Sequence, residues 1–283
     1  MIDSPNTPFW LRASAFYVTA LLATVFVFIT FCAAEGLFMS GPTLFTSVWH
    51  PETQEFGILP MIAATAALSL SSLAIGWLVA FGCICHIYGF GGKYSASLLS
   101  SLLRIMTAIP TVVYGFASVF LLVPLIRDGL GGSGFSWFTA ALVLSLLITP
   151  TMVLTMESAV SQVARESGLT AEALGLSRAE HLVCVVLPAC REWLWGAALL
   201  GFGRAAGDTM IPTMLAGNAV QYPTSPFEAI RTLTAHIGLV LSSDVGGTAY
   251  YSLFVAGGIL LVLSTGANII FTPFCTEDRQ GYL

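Results

Sequence analysis

Charge is what this 283-residue sequence lacks: 9% of its residues are Asp, Glu, Lys or Arg, where soluble domains carry about 25%. So little charge cannot keep a soluble surface of this size hydrated, so lipid rather than water faces much of the exterior. Runs of like charge are missing too. The net charge of −5 comes from scattered single residues, which excludes a nucleic-acid or other polyion-binding face. The six cysteines, Cys32, Cys83, Cys85, Cys184, Cys190 and Cys275, form no CxxC pair. With no histidines at ligand spacing, they read as buried packing residues rather than disulfides or a metal site.

Catalytic signatures are equally scarce. No HExxH or GxSxG occurs, and His50, His86, His181 and His236 all fall in or near expected loops. A membrane-embedded enzyme would need a nucleophile and base or metal ligands at membrane depth, and none can be assembled. GGKYS at 91–95 only superficially resembles a phosphate loop: tyrosine follows the lysine and the upstream glycine is missing.

What the sequence has is apolar length, with 56% hydrophobic residues. About 20 apolar residues cross a bilayer core, and six stretches qualify, at 13–34, 58–85, 98–126, 135–157, 192–217 and 249–272. The expected fold class is an all-α membrane protein of six transmembrane helices. The third and fourth stretches are separated by RDGLGGSG, a glycine-rich turn suited to a helical hairpin. The first has an apolar run too long for a signal peptide and is read as a true span.

Lys and Arg favour the cytoplasmic side. An inside N-terminus places Arg12, Lys93, Arg104, Arg165, Arg178, Arg191 and Arg279 there, against Arg127 and Arg231 outside. Both termini are then cytoplasmic. Residues 158–191 become a cytoplasmic loop of one or two short amphipathic helices, and 35–57 and 218–248 become irregular outer connections. The chain divides into an N-terminal helix with its outer loop (1–57), a core (58–272) and a cytoplasmic tail (273–283).

Arg204 and Asp208 lie in GFGRAAGDTM, inside the fifth stretch. An ionisable group at membrane depth costs a few kcal/mol unless paired or hydrated. Spaced i, i+4 on a helix, the two share a face, either as an anion-handling gate or as an ion pair locking two helices. Gly203 and Gly207 flank them in a GxxxG arrangement that would admit a close neighbour. Pro110, in the third stretch, is expected to bend a continuous helix and free a carbonyl. In the cytoplasmic loop, Gly175 can end one short helix and Pro188 can open the next span at its first turn.

That loop, LTAEALGLSRAEHLVCVVLPA, resembles the coupling loop of ABC importer permeases. Ala171, Gly175, Leu187 and Pro188 fall in register and Val185 takes the Ile position, while Leu169 and Thr170 replace the usual Glu and first Ala. AIPTVVYGF (108–116), GFGRAAGDTMIPTMLAGN (201–218) and RTLTAHI (231–237) extend the likeness to the phosphate-specific Pst permeases, nearer the PstC type. Asp208 stands where that family typically has Glu.

The resemblance implies an ABC type-1 permease fold with a cytoplasmic coupling-helix loop, translocating inorganic phosphate across the inner membrane. It implies a substrate pathway of Arg204, Asp208 and Thr209, a wall of Pro110, Tyr114 and Gly115, and a coupling loop carrying Ala171, Gly175, Leu187 and Pro188. Implied partners are a second permease subunit in a heterodimer, two ATPase subunits holding ATP and Mg, an external phosphate-binding protein and membrane lipid. No catalytic residue, metal or cofactor is expected on this chain. Permeases for sulfate, molybdate or tungstate, and a membrane scaffold, stand as alternatives.

Overall fold

The computed structural model describes residues 9–40, 44–50, 55–243 and 248–271. Cys275, Arg279 and the tail lie outside them. Among the described residues five helices are long and apolar enough to cross a membrane, or six if the bent pair Arg178–Ala189 and Arg191–Gly207 counts as one span.

The first long helix, α1 (Phe9–Ser40), exposes its apolar surface almost entirely. Its threonine hydroxyls are answered within the helix: Thr19, Thr24 and Thr30 donate to the carbonyls four residues back, at 2.8 Å each. A two-residue hairpin, β1 (Trp49–His50) with β2 (Glu55–Phe56), pairs Trp49 with Phe56 and leads into α2 (Leu59–Cys85). A π-helical turn, His86–Phe90, ends α2.

The expected third span is two helices. α3 (Lys93–Ala108) stops at Ile109, and α4 (Thr111–Leu130) starts after Pro110, both connecting residues being extended. The cause is local, because the residue before a proline is driven out of the helical region. Apolarity runs on across this break, which conceals it. α4 ends in the anticipated glycine turn, where Gly131, Gly132 and Gly134 adopt φ of 85°, 76° and 78°.

α5 (Trp137–Ala173) begins at Ser136, whose hydroxyl accepts the Thr139 amide. It runs unbroken through the expected fourth span and the first half of the supposed loop. From Ala140 to Val160 it is the hub of the core, with α2 on one side and α8 on another. Trp137 donates its indole N–H to Ser71 of α2 at 2.9 Å.

The short α6 (Arg178–His181), a π-helical turn Leu182–Val186 and α7 (Leu187–Ala189) follow. At Cys190 the chain bends by 72° into α8 (Arg191–Gly207). Pro188 therefore opens α7 rather than the span itself. α9 (Met210–Leu215), α10 (Leu233–Ser243) and α11 (Thr248–Phe271) complete the fold.

A second apolar cluster sits around the N-terminal end of α2, where Leu44, Phe56, Ile58 and Met61 meet Leu233, Val240 and Leu253. The connections expected on the outer side thus contribute to a core, and His236, expected near a loop, is buried in α10. α11 packs on α1 through small residues. A Cβ at Gly258 would stand 2.7 Å from that of Ala33, and one at Gly36 would stand 2.9 Å from Val255 Cγ2.

Candidate functional site

The expected fifth span breaks where its charged residues are. α8 ends at Gly207 and Asp208 is extended, with φ −71° and ψ 131°. Asp208 Oδ2 accepts the Ile211 amide at 2.8 Å, so the carboxylate caps the start of α9. Its carbonyl accepts the Thr234 hydroxyl at 2.8 Å, which ties the break to α10. Arg204 turns the other way and donates to the Thr151 hydroxyl of α5. No ion pair joins Arg204 to Asp208 among the described residues.

The i, i+4 reading fails because the helical register is lost between the two residues. They remain within electrostatic reach of each other, and Arg204 also reaches the Tyr114 phenol. The arrangement is a guanidinium and a carboxylate side by side, each anchored elsewhere. Arg204 lies in the last turn of α8, where the helix dipole favours a cation.

A cavity of about 590 Å³ opens beside Arg204, lined also by Thr155, Trp193, Phe202, Ser264 and Asn268. A water occupies ~30 Å³ in the liquid, so the guanidinium can stay hydrated or meet a hydrated ion. Asp208 and Thr209 do not line it. The Thr209 carbonyl accepts both the amide and the hydroxyl of Thr213, at 3.1 and 2.6 Å.

Of the expected wall, Gly115 is buried, and a Cβ there would lie 2.7 Å from Met214 Sδ, so α4 approaches α9 closely. Tyr114 donates to the Met106 carbonyl at 2.9 Å and bridges the gap between α3 and α4. Pro110 is exposed in that gap, correcting its expected place within a span.

Within this chain no helix uses the GxxxG face, since a Cβ at Gly203 or Gly207 would meet no atom within 4 Å. Close approach occurs instead at Gly201, where a Cβ would stand 2.5 Å from Met152 Sδ. Thr151, Thr155, Trp193, Ser264 and Asn268 were not anticipated. The i, i+4 hydroxyls of Thr151 and Thr155 in an apolar stretch were the available signal.

In the loop after α5, Gly175 adopts φ 76° and closes that helix. Leu176 donates its amide to Ala171, and Gly175 donates to Glu172, both at 3.0 Å. This paired closure needs a left-handed residue, the role of glycine here. Ala171 is buried, whereas Leu169 and Leu174 are 82% and 73% exposed, so this chain leaves both apolar side chains largely uncovered.

Ser177 and Glu180 form a reciprocal capping box on α6. The Ser177 side chain and backbone N–H hold the Glu180 carboxyl below the usual carboxylate range. His181 Nε2 lies 2.7 Å from Ser167 Oγ, pinning α6 to α5. Leu187 and Pro188 stand in α7, just before the 72° bend. No cluster of His, Cys, Asp or Glu among the described residues could hold a metal.

The profile of the family described as "binding-protein-dependent transport system inner membrane component" matches residues 78–273. The phosphate transport system permease protein PstC of Haemophilus influenzae is 27% identical over 287 residues, covering 94% of this chain and 91% of that protein. The probable ABC transporter permease protein YqgH of Bacillus subtilis is 27% identical over 235 residues, covering 82% and 76%.

Among solved structures, an inward-facing MetNI methionine ABC transporter matches with TM-score 0.61 and 14% identity, covering 79% of this chain and 98% of that one. A bacterial ABC transporter that imports the acidic polysaccharide alginate matches with TM-score 0.56 and 16% identity, covering 94% and 98%. These two share the fold.

Proposed function

Because the chain belongs to the inner membrane components of binding-protein-dependent transport systems, we propose that it is the PstC-like permease subunit of an ABC importer carrying inorganic phosphate. The observation that carries this reading is Arg204, a cation at membrane depth that faces a wet-sized cavity and is not consumed by Asp208. One guanidinium bond goes to Thr151, and the remaining donors of the fork suit an oxyanion. The H. influenzae relative, named for phosphate transport and covered over most of its length, supports phosphate over other oxyanions.

In this reading the pathway runs past Arg204 between this chain and a second permease. Asp208 keeps the anion from being trapped: its carboxylate, fixed on α9, repels an anion bound too deeply, and weak binding favours release. Residues 58–272 form the permease core, and the N-terminal helix and the tail lie outside it. Both termini are cytoplasmic in the inner membrane. Gly175, closing α5, presents the loop and its exposed Leu169 and Leu174 to an ATPase dimer. ATP and Mg bind on those partners, and a phosphate-binding protein delivers cargo from outside.

The test is ATP-driven uptake of radiolabelled phosphate by the complex reconstituted with its partner subunits. Arg204→Ala, losing charge-assisted hydrogen bonds of about 1.5–3 kcal/mol, lowers uptake roughly 10- to 100-fold while assembly persists. Competition by excess sulfate, molybdate or tungstate above that by phosphate would transfer the reading to that oxyanion. Undiminished uptake by Arg204→Ala would remove Arg204 from the pathway.

A further inference from the structure

A second cavity, of about 400 Å³, lies on the cytoplasmic side of the one beside Arg204. Its lining includes Ser158, Gln162, Ala189, Cys190 and Trp193. Trp193 is the single residue that lines both cavities. On the α5 side the wall is continuous: Thr151, Thr155, Ser158 and Gln162 recur at intervals of three and four residues along one helix, so they follow one face. Thr151 holds Arg204, Thr155 lines the first cavity, and Ser158 and Gln162 line the second. A polar stripe therefore passes from the guanidinium toward the Gly175 loop without interruption, and the two open volumes beside it meet at one indole, which is 55% exposed on this chain.

The indole stands beside the bend in the chain. Trp193 sits in the first turn of α8, three residues beyond Cys190, where α7 and α8 meet at 72°. Cys190 has φ −101° and ψ 8°, outside the helical well, and no side-chain hydrogen bond caps α8 there. A change of angle at Cys190 displaces Trp193 relative to α5. Arg204 lies about three turns further along, where the Thr151 hydrogen bond holds it to α5.

We propose that Trp193 is the inner gate of the pathway: its indole separates the Arg204 cavity from the cytoplasm, and it swings aside when the segment Arg178–Ala189 turns about Cys190. This rests on the permease reading above and adds the element that connects the loop to the site. An indole has the bulk for it, since Trp buries up to ~250 Å², and an apolar constriction blocks ions by excluding water. Its loss opens the route without removing the anion contact at Arg204.

The experiment loads proteoliposomes carrying the full complex with radiolabelled phosphate or with iodide, a small weakly hydrated anion. ATP-independent efflux is then compared for wild type, Trp193→Ala and Trp193→Phe. Trp193→Ala leaks at least about tenfold faster, equivalent to a barrier lowered by roughly 1.4 kcal/mol, while the complex still assembles and hydrolyses ATP. Trp193→Phe, which keeps a ring, restores a tight channel. Where Trp193→Ala fails to assemble, Trp193→Leu takes its place with the same expectation.

Efflux unchanged from wild type, or equal leak in the Phe variant, overturns the gate. The cargo is judged separately. Wild type that hydrolyses ATP without taking up phosphate overturns the phosphate reading, and iodide efflux still decides the gate.

Discussion

At its C-terminal end α8 stops against a set of side-chain hydrogen bonds, whereas at its N-terminal end it meets α7 with none capping it. At the C-terminal end, Asp208 accepts the Ile211 amide, Thr234 donates to the Asp208 carbonyl, and Asn218 donates to the Thr213 carbonyl at 2.7 Å. Arg231 Nε donates to the Asn218 carbonyl at 2.9 Å and braces the same loop. At the N-terminal end, the Cys190 amide is shared between the carbonyls of Val186 and Leu187, at 3.0 and 3.2 Å. A helix clamped at one end and jointed at the other transmits force as a lever. The clamp lies at the charged site and the joint beside the loop.

The clamp depends most on close packing. Gly201→Val drives branched carbon into Met152 and α5, and overpacking of this kind costs about 1–3 kcal/mol. Thermal unfolding of the purified protein shows this as a lowered Tm. A Tm equal to wild type would mean that the C-terminal half of α8 is not held against α5.

Next is the cap at the break. Asp208→Ala removes it, at about 0.5–2 kcal/mol for a lost cap. Asp208→Asn keeps an equivalent acceptor but not the charge beside Arg204. The expected result is a lowered Tm for Ala, a near-native Tm for Asn, and slowed uptake for both. Equal stability of all three proteins would break the comparison, since the two ends would then be equally unclamped.

A pH-dependent effect follows from His236 in α10. Burial, followed by the nearby Arg231 charge, lowers its pKa from 6.5 to about 3. Its Nε2 lies 3.0 Å from Ser252 Oγ, and its ring meets Trp49 edge-on with centroids 4.5 Å apart. The unfolded chain binds this proton more readily, so the contribution is full above pH 6.5 and erodes as pH falls toward 3. Tm measured across that window declines in wild type, and His236→Gln flattens the part due to this residue. The smallest change is Gly203→Ala: a Cβ there meets nothing, so Tm stays level or rises by the helix propensity of alanine, up to ~1 kcal/mol.

Much of this was legible before the coordinates, and the omissions share a cause. Composition identified the bilayer as solvent, hydropathy located the spans, and Gly175 with Leu187–Pro188 marked the loop. The breaks at Ile109–Pro110 and Asp208–Thr209 were hidden because apolarity continues across them. The extension of α5 to Ala173 was hidden for the opposite reason, since a helix that leaves the membrane loses its apolar signature while keeping its hydrogen bonds. Gly201 and Gly203 look alike in sequence, and only the position of Met152 separates them. Arg204 was found and its partner misassigned, because pairing by spacing assumes one helix where the chain has two.

The self-contained hydrogen bonding of α1 bears on how the chain is made. A span whose threonine hydroxyls are satisfied internally spares lipid those donors, so α1 can enter the bilayer before its packing partner is made. Its docking surface, the small-residue seam of α11, is synthesised more than two hundred residues later. The α1–α11 seam therefore closes only after Gly258 has been made.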